Sequence, residues 1–291
     1  MRVFVTGASG FVGSAVVKEL LNAGHQVLGL ARSEESAKAL IEAGAEVIKG
    51  SLEDLESLKR GAAETDGVIH TAFIHDFSQY EAAAKTDKIA IETIGAVLAG
   101  TDRPFVVTGG IAVIKPKKSA IDEDDPAPSI PRASETAALA LKDRGVRVSV
   151  IRLPPSVHDA GDHGFIPVII NIAREKQVAA YVGDGTNVWP AVHRLDAAKL
   201  FCLALENGLA GSRYNAIDDS GIPMREIAQI IGQQLNIPFA SVTAEEAGEH
   251  FGWMSRFIGL DCPAVSERTR QQLGWRPTNI GLIEDITANY F

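Results

Sequence analysis

The first thirteen residues constrain the fold of this chain more than any other segment. An apolar run, Val3–Val5, leads into three glycines spaced three apart, and then into a segment with apolar residues at helical spacing. Gly7 suits a tight turn, Gly10 lets the backbone approach a pyrophosphate, and Gly13 lets the helix pack closely on the strand. The pattern predicts a βαβ unit that binds a dinucleotide on the free N–H groups of its first helix. The alternative is a small-residue turn without a ligand.

Strand and helix patterns alternate through the first half of the chain, which predicts an α/β fold: a doubly wound parallel, Rossmann-like sheet covered on both faces. The predicted strands are Gln26–Ala31, Glu46–Lys49, Gly67–Thr71, Pro104–Thr108 and Arg147–Leu153, and the predicted helices are Glu34–Ala43, Leu52–Gly61, Tyr80–Ala99 and Arg132–Asp143.

The rhythm changes after residue 157. We expect residues 1–157 to form the nucleotide-binding domain and 194–218 to return to it as a helix and a strand. Residues 158–193 and 219–291 then form a small, mostly helical C-terminal substrate lobe, with strands on either side of the turn at 183–185.

Composition excludes several classes of protein. The chain has 291 residues, a net charge of -9 and no basic cluster, so we expect no nucleic-acid partner. No apolar stretch is long enough to span a bilayer, and the first residues are a core strand rather than a signal peptide. The two cysteines have no paired or metal-ligand spacing, so we expect no metal and a cytoplasmic location. Because no stretch could span a bilayer, we also expect no membrane association.

The glycine spacing G-x-x-G-x-x-G, within T-G-A-S-G-F-V-G, resembles the short-chain dehydrogenase/reductase superfamily. The resemblance extends through Asp66–Ala72, Phe105–Thr108, Val150–Val157 and Pro190–Ala197. These segments are similar to the extended, epimerase/dehydratase-like branch of the superfamily. The resemblance implies a nicotinamide dinucleotide along the carboxyl ends of the strands. The residues that it implies for the cofactor are Gly7, Ser9, Gly10, Phe11, Val12, Gly13, Ser51, Leu52, Thr71, Ala72, Phe73, Thr108, Gly109, Pro154, Pro155, Ser156 and Val157.

The end of the second strand indicates which dinucleotide binds. An acid there would accept hydrogen bonds from the adenosine ribose, whereas arginine pairs with a 2′-phosphate. The chain has Arg32 and Ser33 at this place, and its first acid is Glu34. NADP is therefore favoured over NAD, the alternative being that Arg32 is only a solvated arginine.

The resemblance also implies a catalytic tyrosine, a lysine four residues later, a hydroxyl residue after the fifth strand and a helix asparagine. Anchored on Glu135, the tyrosine and lysine positions fall on Ala127 and Pro131. The hydroxyl residue falls on Gly110, and the asparagine falls near Asp87–Lys88. The chain is therefore interpreted as an atypical member whose usual catalytic residues are absent.

Two classes of function fit this pattern. The first is an NADP(H)-dependent oxidoreductase that reduces a small or moderately apolar aldehyde or ketone; reduction of C=C or C=N bonds is a weaker variant. The second is a non-catalytic NADP(H)-binding regulator or sensor. Four aromatic residues predict an enclosed apolar substrate pocket, which favours the enzyme: Trp189, Phe251, Trp253 and Phe257. The alternative interpretation of these residues is ordinary core packing.

Two residues are candidates for the missing catalytic groups. His158 follows the Pro-Pro-Ser-Val turn and suits proton donation near neutral pH, unless it is a surface-loop histidine. Arg132 could hold the ribose or stabilise an oxyanion. His163 is a weaker candidate, while His193 and Asp196 match a motif that ties the lobe to the sheet.

We also expect a homodimer, because the long predicted helix carries more apolar surface than one covered face needs. The alternative is that the lobe or a neighbouring helix buries these residues, which are Ile89, Ile91, Ile94, Val97 and Leu98.

Overall fold

A computed structural model describes residues 1–75, 79–128 and 133–291 of the chain. Its strands are β1 (Arg2–Thr6), β2 (Gln26–Ala31), β3 (Glu46–Lys49), β4 (Gly67–His70), β5 (Pro104–Gly110), β6 (Arg147–Leu153), β7 (Ser156–His158), β8 (Ala179–Val182), β9 (Val188–His193), β10 (Ser212–Asn215), β11 (Asp219–Pro223) and β12 (Phe239–Val242).

The helices lie between these strands and in the C-terminal part. They are α1 (Phe11–Asn22), α2 (Glu34–Glu42), α3 (Leu55–Ala63), α4 (Tyr80–Leu98), α5 (Ser134–Leu139), α6 (Phe165–Lys176), α7 (Arg194–Asn207), α8 (Met224–Leu235), α9 (Ala247–Phe251), α10 (Ser255–Ile258), α11 (Glu267–Leu273) and α12 (Leu282–Asn289).

The centre of the fold is a parallel sheet to which the described residues contribute seven strands, in the order β10-β6-β5-β4-β1-β2-β3. Val3 lies opposite both Val27 and Gly67, which puts β1 between β2 and β4. The order of the strands reverses between β1 and β4, where ligands bind to sheets of this kind. The predicted doubly wound α/β fold is confirmed.

Both faces of this sheet are covered by helices. Apolar residues of α1 and α7, such as Val16 and Phe201, pack on one face. Apolar residues of α3 and α4, such as Leu58 and Ile91, pack with Phe4 on the other. Because all strand pairs of this sheet are parallel, the carboxyl ends of its strands lie at one edge.

Two predicted helices differ from the structure by more than one residue at an end. The Asp54 side chain accepts a hydrogen bond from the Ser57 N–H, so α3 begins at Leu55 and not at Leu52. Helix α5 is shorter than Arg132–Asp143, because the chain passes into a separate 3₁₀ turn that ends at the left-handed Gly145.

The lobe contains more strand than its sequence suggests. The predicted strands on either side of 183–185 are β8 and β9, yet they do not pair with each other. Instead β8 pairs with β12, and β9 pairs with both β7 and β11. The apolar core of the lobe joins α6, α8 and α12 to residues that follow β5, including Ile111 and Ile114. The domain boundary at residue 157 stays a prediction.

Most of the apolar surface of α4 is covered within the chain. Ile91, Ile94 and Leu98 are fully buried, whereas Ile89 is 37% exposed. Packing within the chain therefore fully buries three of the five apolar residues that suggest a dimer. The homodimer stays an expectation. None of the helices in the described ranges has the length and apolar character needed to cross a membrane.

Candidate functional site

The glycine turn after β1 has the geometry that the spacing predicts. Gly7 adopts φ of 68°, and a Cβ there would lie 2.6 Å from the Ala72 nitrogen. A Cβ on Gly13 would lie 1.9 Å from the Gly7 carbonyl oxygen, so this contact between α1 and the turn requires glycine. Gly10 donates its N–H to the Gly7 carbonyl at 2.9 Å, which closes the turn.

The first turn of α1 is an uncompensated positive helix end. It has no acidic residue, and its N-cap, Gly10, offers no side-chain acceptor. The N–H groups of Phe11, Val12 and Gly13 make no hydrogen bond within the described part of the chain. Ser9, just before this turn, is exposed. These unpaired donors at the switch point of the sheet fit the pyrophosphate of a dinucleotide.

The end of β2 presents Arg32 to solvent. Arg32 makes no hydrogen bond or ion pair with other described residues. Ser33 caps α2 by accepting from the Ser36 N–H, and Glu34 forms an ion pair with Lys49. The guanidinium group of Arg32 is therefore available to an anion at this strand end.

The adenine-pocket candidates differ in what they can offer. The Ser51 hydroxyl oxygen accepts from the Glu53 and Asp54 N–H groups, which leaves its proton as the group that can reach a ligand. Leu52 is buried in the apolar core beside β2.

Threonines after β4 and in β5 fasten neighbouring strands. Thr71 donates its hydroxyl proton to the Thr6 carbonyl, and Thr108 donates to the His70 carbonyl, each at 2.8 Å. Their hydroxyl oxygens keep lone pairs for a ligand. Gly109 is buried beside Val150, and a Cβ there would lie 3.0 Å from the valine Cγ1.

The segment after β4 also brings a tyrosine into the region. The aromatic ring of Phe73, which follows Ala72, lies 6.1 Å from the ring of Tyr80 at the start of α4, measured between centroids. The sequence does not single out Tyr80, because Tyr80 is far in the chain from Ala127, the position where the resemblance implies the catalytic tyrosine.

The Pro154–Val157 turn carries a second unpaired group. The Ser156 hydroxyl is buried and has no hydrogen-bond partner in the described ranges. Ser156 begins β7 and lies opposite Ala191 of β9. An orphaned hydroxyl at this turn fits a polar ligand group such as a carboxamide, because a buried hydroxyl without a partner is costly.

His158 is not a surface-loop residue. It ends β7 fully buried, with Nδ1 2.7 Å from Asp285 Oδ2 on α12. Its Nε2 makes no hydrogen bond to any described residue. The ring stands edge-on to that of His193 at a centroid distance of 5.4 Å. His158 therefore has an orienting carboxylate and one free nitrogen, but no opening to solvent.

The neighbouring histidines divide into two roles. His193 Nδ1 accepts from the Leu195 N–H at the start of α7, and burial lowers the pKa of its ring. Asp196 accepts from the N–H groups of Thr278 and Asn279. His193 thus caps α7 and Asp196 ties α7 to residues 278–279, while His163 is exposed and packs its ring against Phe11.

The vacated catalytic segment is only partly described. Arg132 and Pro131 lie outside the described residues, so the structure does not place the Arg132 candidate. Ala127 lies in an irregular segment before α5, and a Cβ on Gly110 would meet no atom within 4 Å.

Beside this segment lies a buried ion pair that sequence reasoning missed. Arg152 of β6 is fully buried and binds both Glu135 oxygens, at 2.8 and 2.7 Å. Arg213 of β10 reaches the same carboxylate at 2.6 Å. Burial opposes ionisation of Glu135, but hydrogen bonds and charge from Arg152 and Arg213 outweigh burial and lower its pKa. A charged residue inside an apolar strand was the available signal.

A second buried polar chain joins the sheet to α4 and α5. His70 Nδ1 lies 2.8 Å from the Thr6 hydroxyl, and Nε2 lies 3.0 Å from Asp87 Oδ1. The hydroxyl of Ser134 donates to the other Asp87 oxygen. Asp87 is where the resemblance implies an asparagine, and its carboxyl group is held between His70 and Ser134.

Three of the four aromatic residues that predict a substrate pocket lie around the ring of Phe165, and the pocket itself stays a prediction. The Phe165 ring lies 5.7 Å from Trp189, 6.2 Å from Trp253 and 4.9 Å from Phe257, measured between centroids. Trp253 is 48% exposed, whereas Trp189 is buried with its indole N–H unpaired among the described residues. Phe251 belongs to the lobe core.

One possible metal-ligand cluster is found among the described residues, at the opposite edge of the sheet. Donor atoms of His25, Cys202 and Glu206 lie within 4.8 Å of one another. His25 Nε2 already bonds Glu206 at 2.9 Å, and burial raises the pKa of the Cys202 thiol to about 12. This hydrogen bond accounts for the contact, and the expected lack of a metal stays an expectation.

Comparison with known proteins shows the family. A family model described as NAD(P)H-binding matches residues 7–179, and the chain belongs to this family. It is 52% identical over 294 residues to the uncharacterized protein C2A9.02 of Schizosaccharomyces pombe, covering 100% of each chain. It is 28% identical over 292 residues to 4-hydroxy-2-methyl-3-oxo-4-farnesyl-3,4-dihydroquinoline-1-oxide ketoreductase of Stigmatella aurantiaca, covering 91% of this chain and 84% of the relative.

The fold agrees with these matches. The structure of the dTDP-glucose 4,6-dehydratase DesIV from Streptomyces venezuelae, solved with NAD bound, superposes with a TM-score of 0.80 at 20% identity, covering 100% of this chain and 96% of that one. The match to the NAD(P)H-binding family and the fold both agree with the extended, epimerase/dehydratase-like branch of the short-chain dehydrogenase/reductase superfamily.

Proposed function

We propose that this protein uses NADP(H) to reduce a small or moderately apolar aldehyde or ketone. The observation that carries the proposal is that the turn implied for the nicotinamide is joined by strand pairing to a strand that carries part of the aromatic cluster. Ser156, at the turn implied for the nicotinamide, pairs through β7 with β9, which also carries Trp189. A carbonyl held by the aromatic cluster would therefore lie near the hydride donor, and positioning supplies much of the catalysis in hydride transfer.

A related protein supports the carbonyl substrate. The Stigmatella relative is a ketoreductase, and it matches most of this chain. The cluster of Phe165, Trp189, Trp253 and Phe257 offers apolar contact area, and the unpaired Trp189 N–H is a donor for a polar substrate atom.

The preference for NADP rests on Arg32. Its guanidinium is exposed and unpaired within the described residues at the strand end where a 2′-phosphate binds, and Glu34 is turned to Lys49. We expect Arg32→Gln to weaken NADPH binding about tenfold, the value of one good charge-assisted hydrogen bond, and to leave NADH binding unchanged. Titration with both cofactors measures this, and NADH is the internal control. Tighter binding of NADH than of NADPH by the wild type would refute the NADP assignment.

The proton donor in this proposal is His158. Asp285 fixes its ring and leaves Nε2 for the substrate oxygen, but the ring is closed off. His158 can act only if substrate binding opens the lobe and uncovers Nε2. Tyr80 is the competing donor, because its ring lies beside Phe73 at the nucleotide edge.

A regulator that binds NADP(H) without chemistry is the second candidate. It is favoured by the residues at the usual catalytic positions, where Ala127 and Gly110 carry no ionisable group. Reduction of C=C or C=N bonds is a weaker alternative, since it depends less on a tyrosine acid.

One screen separates these functions. NADPH oxidation is followed with aldehydes, ketones, enones and imines, and NADPH affinity is measured on the same protein. Turnover with aldehydes or ketones is the expected result, and turnover with enones or imines alone would move the assignment to C=C or C=N reduction. Tight NADPH binding with no turnover in any class would replace the enzyme by the regulator.

A further inference from the structure

Two segments that are distant in the chain converge on the first residue of α1. The guanidinium carbon of Arg194, the first residue of α7, lies 4.6 Å from the centre of the Phe11 ring. The ring of His163 meets the same phenyl ring edge-on, at a centroid distance of 5.6 Å. Arg194 and the loop at 159–164 therefore lie against the side chain of the first residue of α1.

This loop is fastened at both ends. Asp159 accepts from Arg194, and Asp162 accepts from the Gly164 N–H at 2.6 Å and from the Tyr290 hydroxyl at 2.8 Å. The side chains above Phe11 are thus held in place by contacts from α7 and from the C-terminal end of α12.

Arg194 is bound along one edge only. Its Nε and Nη2 lie 3.0 and 2.8 Å from the same Asp159 oxygen, Oδ2. The third nitrogen, Nη1, makes no hydrogen bond to any described residue, and the side chain is 23% exposed. Asp159 therefore orients the guanidinium and leaves both N–H donors of Nη1 free.

The charge arrangement points to an anion at this place. A helix N-terminus favours negative groups, and α1 has none in its first turn. Asp159 balances the formal charge of Arg194, but the two N–H groups on Nη1 stay unpaired among the described residues and add hydrogen-bond donors beside Phe11. An anion between the unpaired N–H groups of α1 and Arg194 Nη1 would satisfy both.

We propose that Arg194, oriented by Asp159, binds the diphosphate of the nicotinamide dinucleotide through Nη1. The inference rests on the proposed nucleotide site and extends it to the lobe side of the cofactor. Because NAD and NADP share the diphosphate, Arg194 contributes equally to both, unlike Arg32.

The test is the affinity of Arg194→Gln for NADPH and NADH, measured by calorimetry across a series of salt concentrations. Both dissociation constants should rise by roughly 10- to 100-fold, as expected for a hydrogen bond between charged groups. Their dependence on salt should become shallower, because one screened ion pair is lost. Arg225→Gln is the matched control, since Arg225 also lies over an aromatic ring, that of Tyr181 at 5.8 Å, on the distant α8.

The outcomes separate this inference from the nucleotide site itself. If the wild type binds neither cofactor, the nucleotide site fails and the inference fails with it. If the wild type binds and Arg194→Gln changes affinity less than twofold, or weakens it with an unchanged salt dependence, only the role of Arg194 is overturned. Arg194→Met keeps the stem on Phe11 without the charge, and should give the same salt result if the glutamine variant does not fold.

Discussion

The glycine turn at α1 and the His158 site differ in how their parts are distributed along the chain. The turn is assembled from residues 7–13, together with Thr71 and Ala72 of a neighbouring strand end. The His158 site joins residues that are 127 positions apart, on β7 and α12. The first site is made by backbone and small residues at fixed spacing, and the second by side chains that only the folded lobe brings together.

This difference explains why the two sites carry different information. Backbone N–H groups bind phosphate in any protein that holds the turn, so the turn indicates a class of ligand. A histidine oriented by a carboxylate can move a proton, and its substrate depends on the surrounding lobe. The nucleotide site thus indicates the family, whereas the proposed reaction depends on the lobe.

The largest expected effect is at the turn. Gly13→Ala puts a methyl group 1.9 Å from a backbone oxygen, so α1 must move away from the turn. We expect NADPH affinity to fall at least about 100-fold, since the N–H groups are displaced, and stability to fall by about 1–3 kcal/mol. Fluorescence titration and thermal unfolding measure both.

The matched control is Gly259→Ala, where an added Cβ meets no atom within 4 Å. If Gly13→Ala binds NADPH as the control does, the turn is not the phosphate site.

A smaller effect is expected at the lobe. His158→Ala should lower kcat at least about tenfold, the lower range for loss of a general acid, and leave NADPH affinity nearly unchanged. The measurement is steady-state kinetics on the substrate found by the screen, with folding checked by melting temperature, because Asp285 loses its partner.

Tyr80→Phe is the comparison that tests the competing donor. A loss of kcat in Tyr80→Phe with none in His158→Ala would transfer the role to the tyrosine. Full activity in both variants would mean that the proton comes from water or from another group.

The sequence predicts the fold well where local pattern decides it. The positions of β1, α1 and the later strands follow from apolar runs and glycine spacing, because each element is specified within a few residues. It does not predict α6 or the pairing of β8 with β12, because that pairing depends on how distant segments of the lobe pack.

The site follows the same rule. Arg32 and the glycines can be proposed as site residues from the sequence, because the roles expected of them follow from their positions at strand ends. The hydrogen bonds between His158 and Asp285 and between Arg194 and Asp159 cannot be predicted in this way, since each joins residues with no shared local pattern.

The smallest effect concerns the pH dependence of stability at Glu135, beside the vacated catalytic segment. Its pKa in the folded protein is lowered, because bonds to Arg152 and Arg213 outweigh the cost of burial. A carboxyl with a lowered folded pKa stabilises the protein above its unfolded pKa, and that stability is lost as pH falls through the folded value. The pH range over which this stability is lost therefore begins near the ordinary glutamate pKa of 4.5 and extends to lower pH.

Glu135→Gln tests this by urea unfolding between neutral and acid pH. The variant should be less stable than the wild type at neutral pH and should lose less stability on acidification. The exposed Glu245→Gln is the control. If the wild type and Glu135→Gln lose stability equally on acidification, the ion pair does not act through the charge of Glu135.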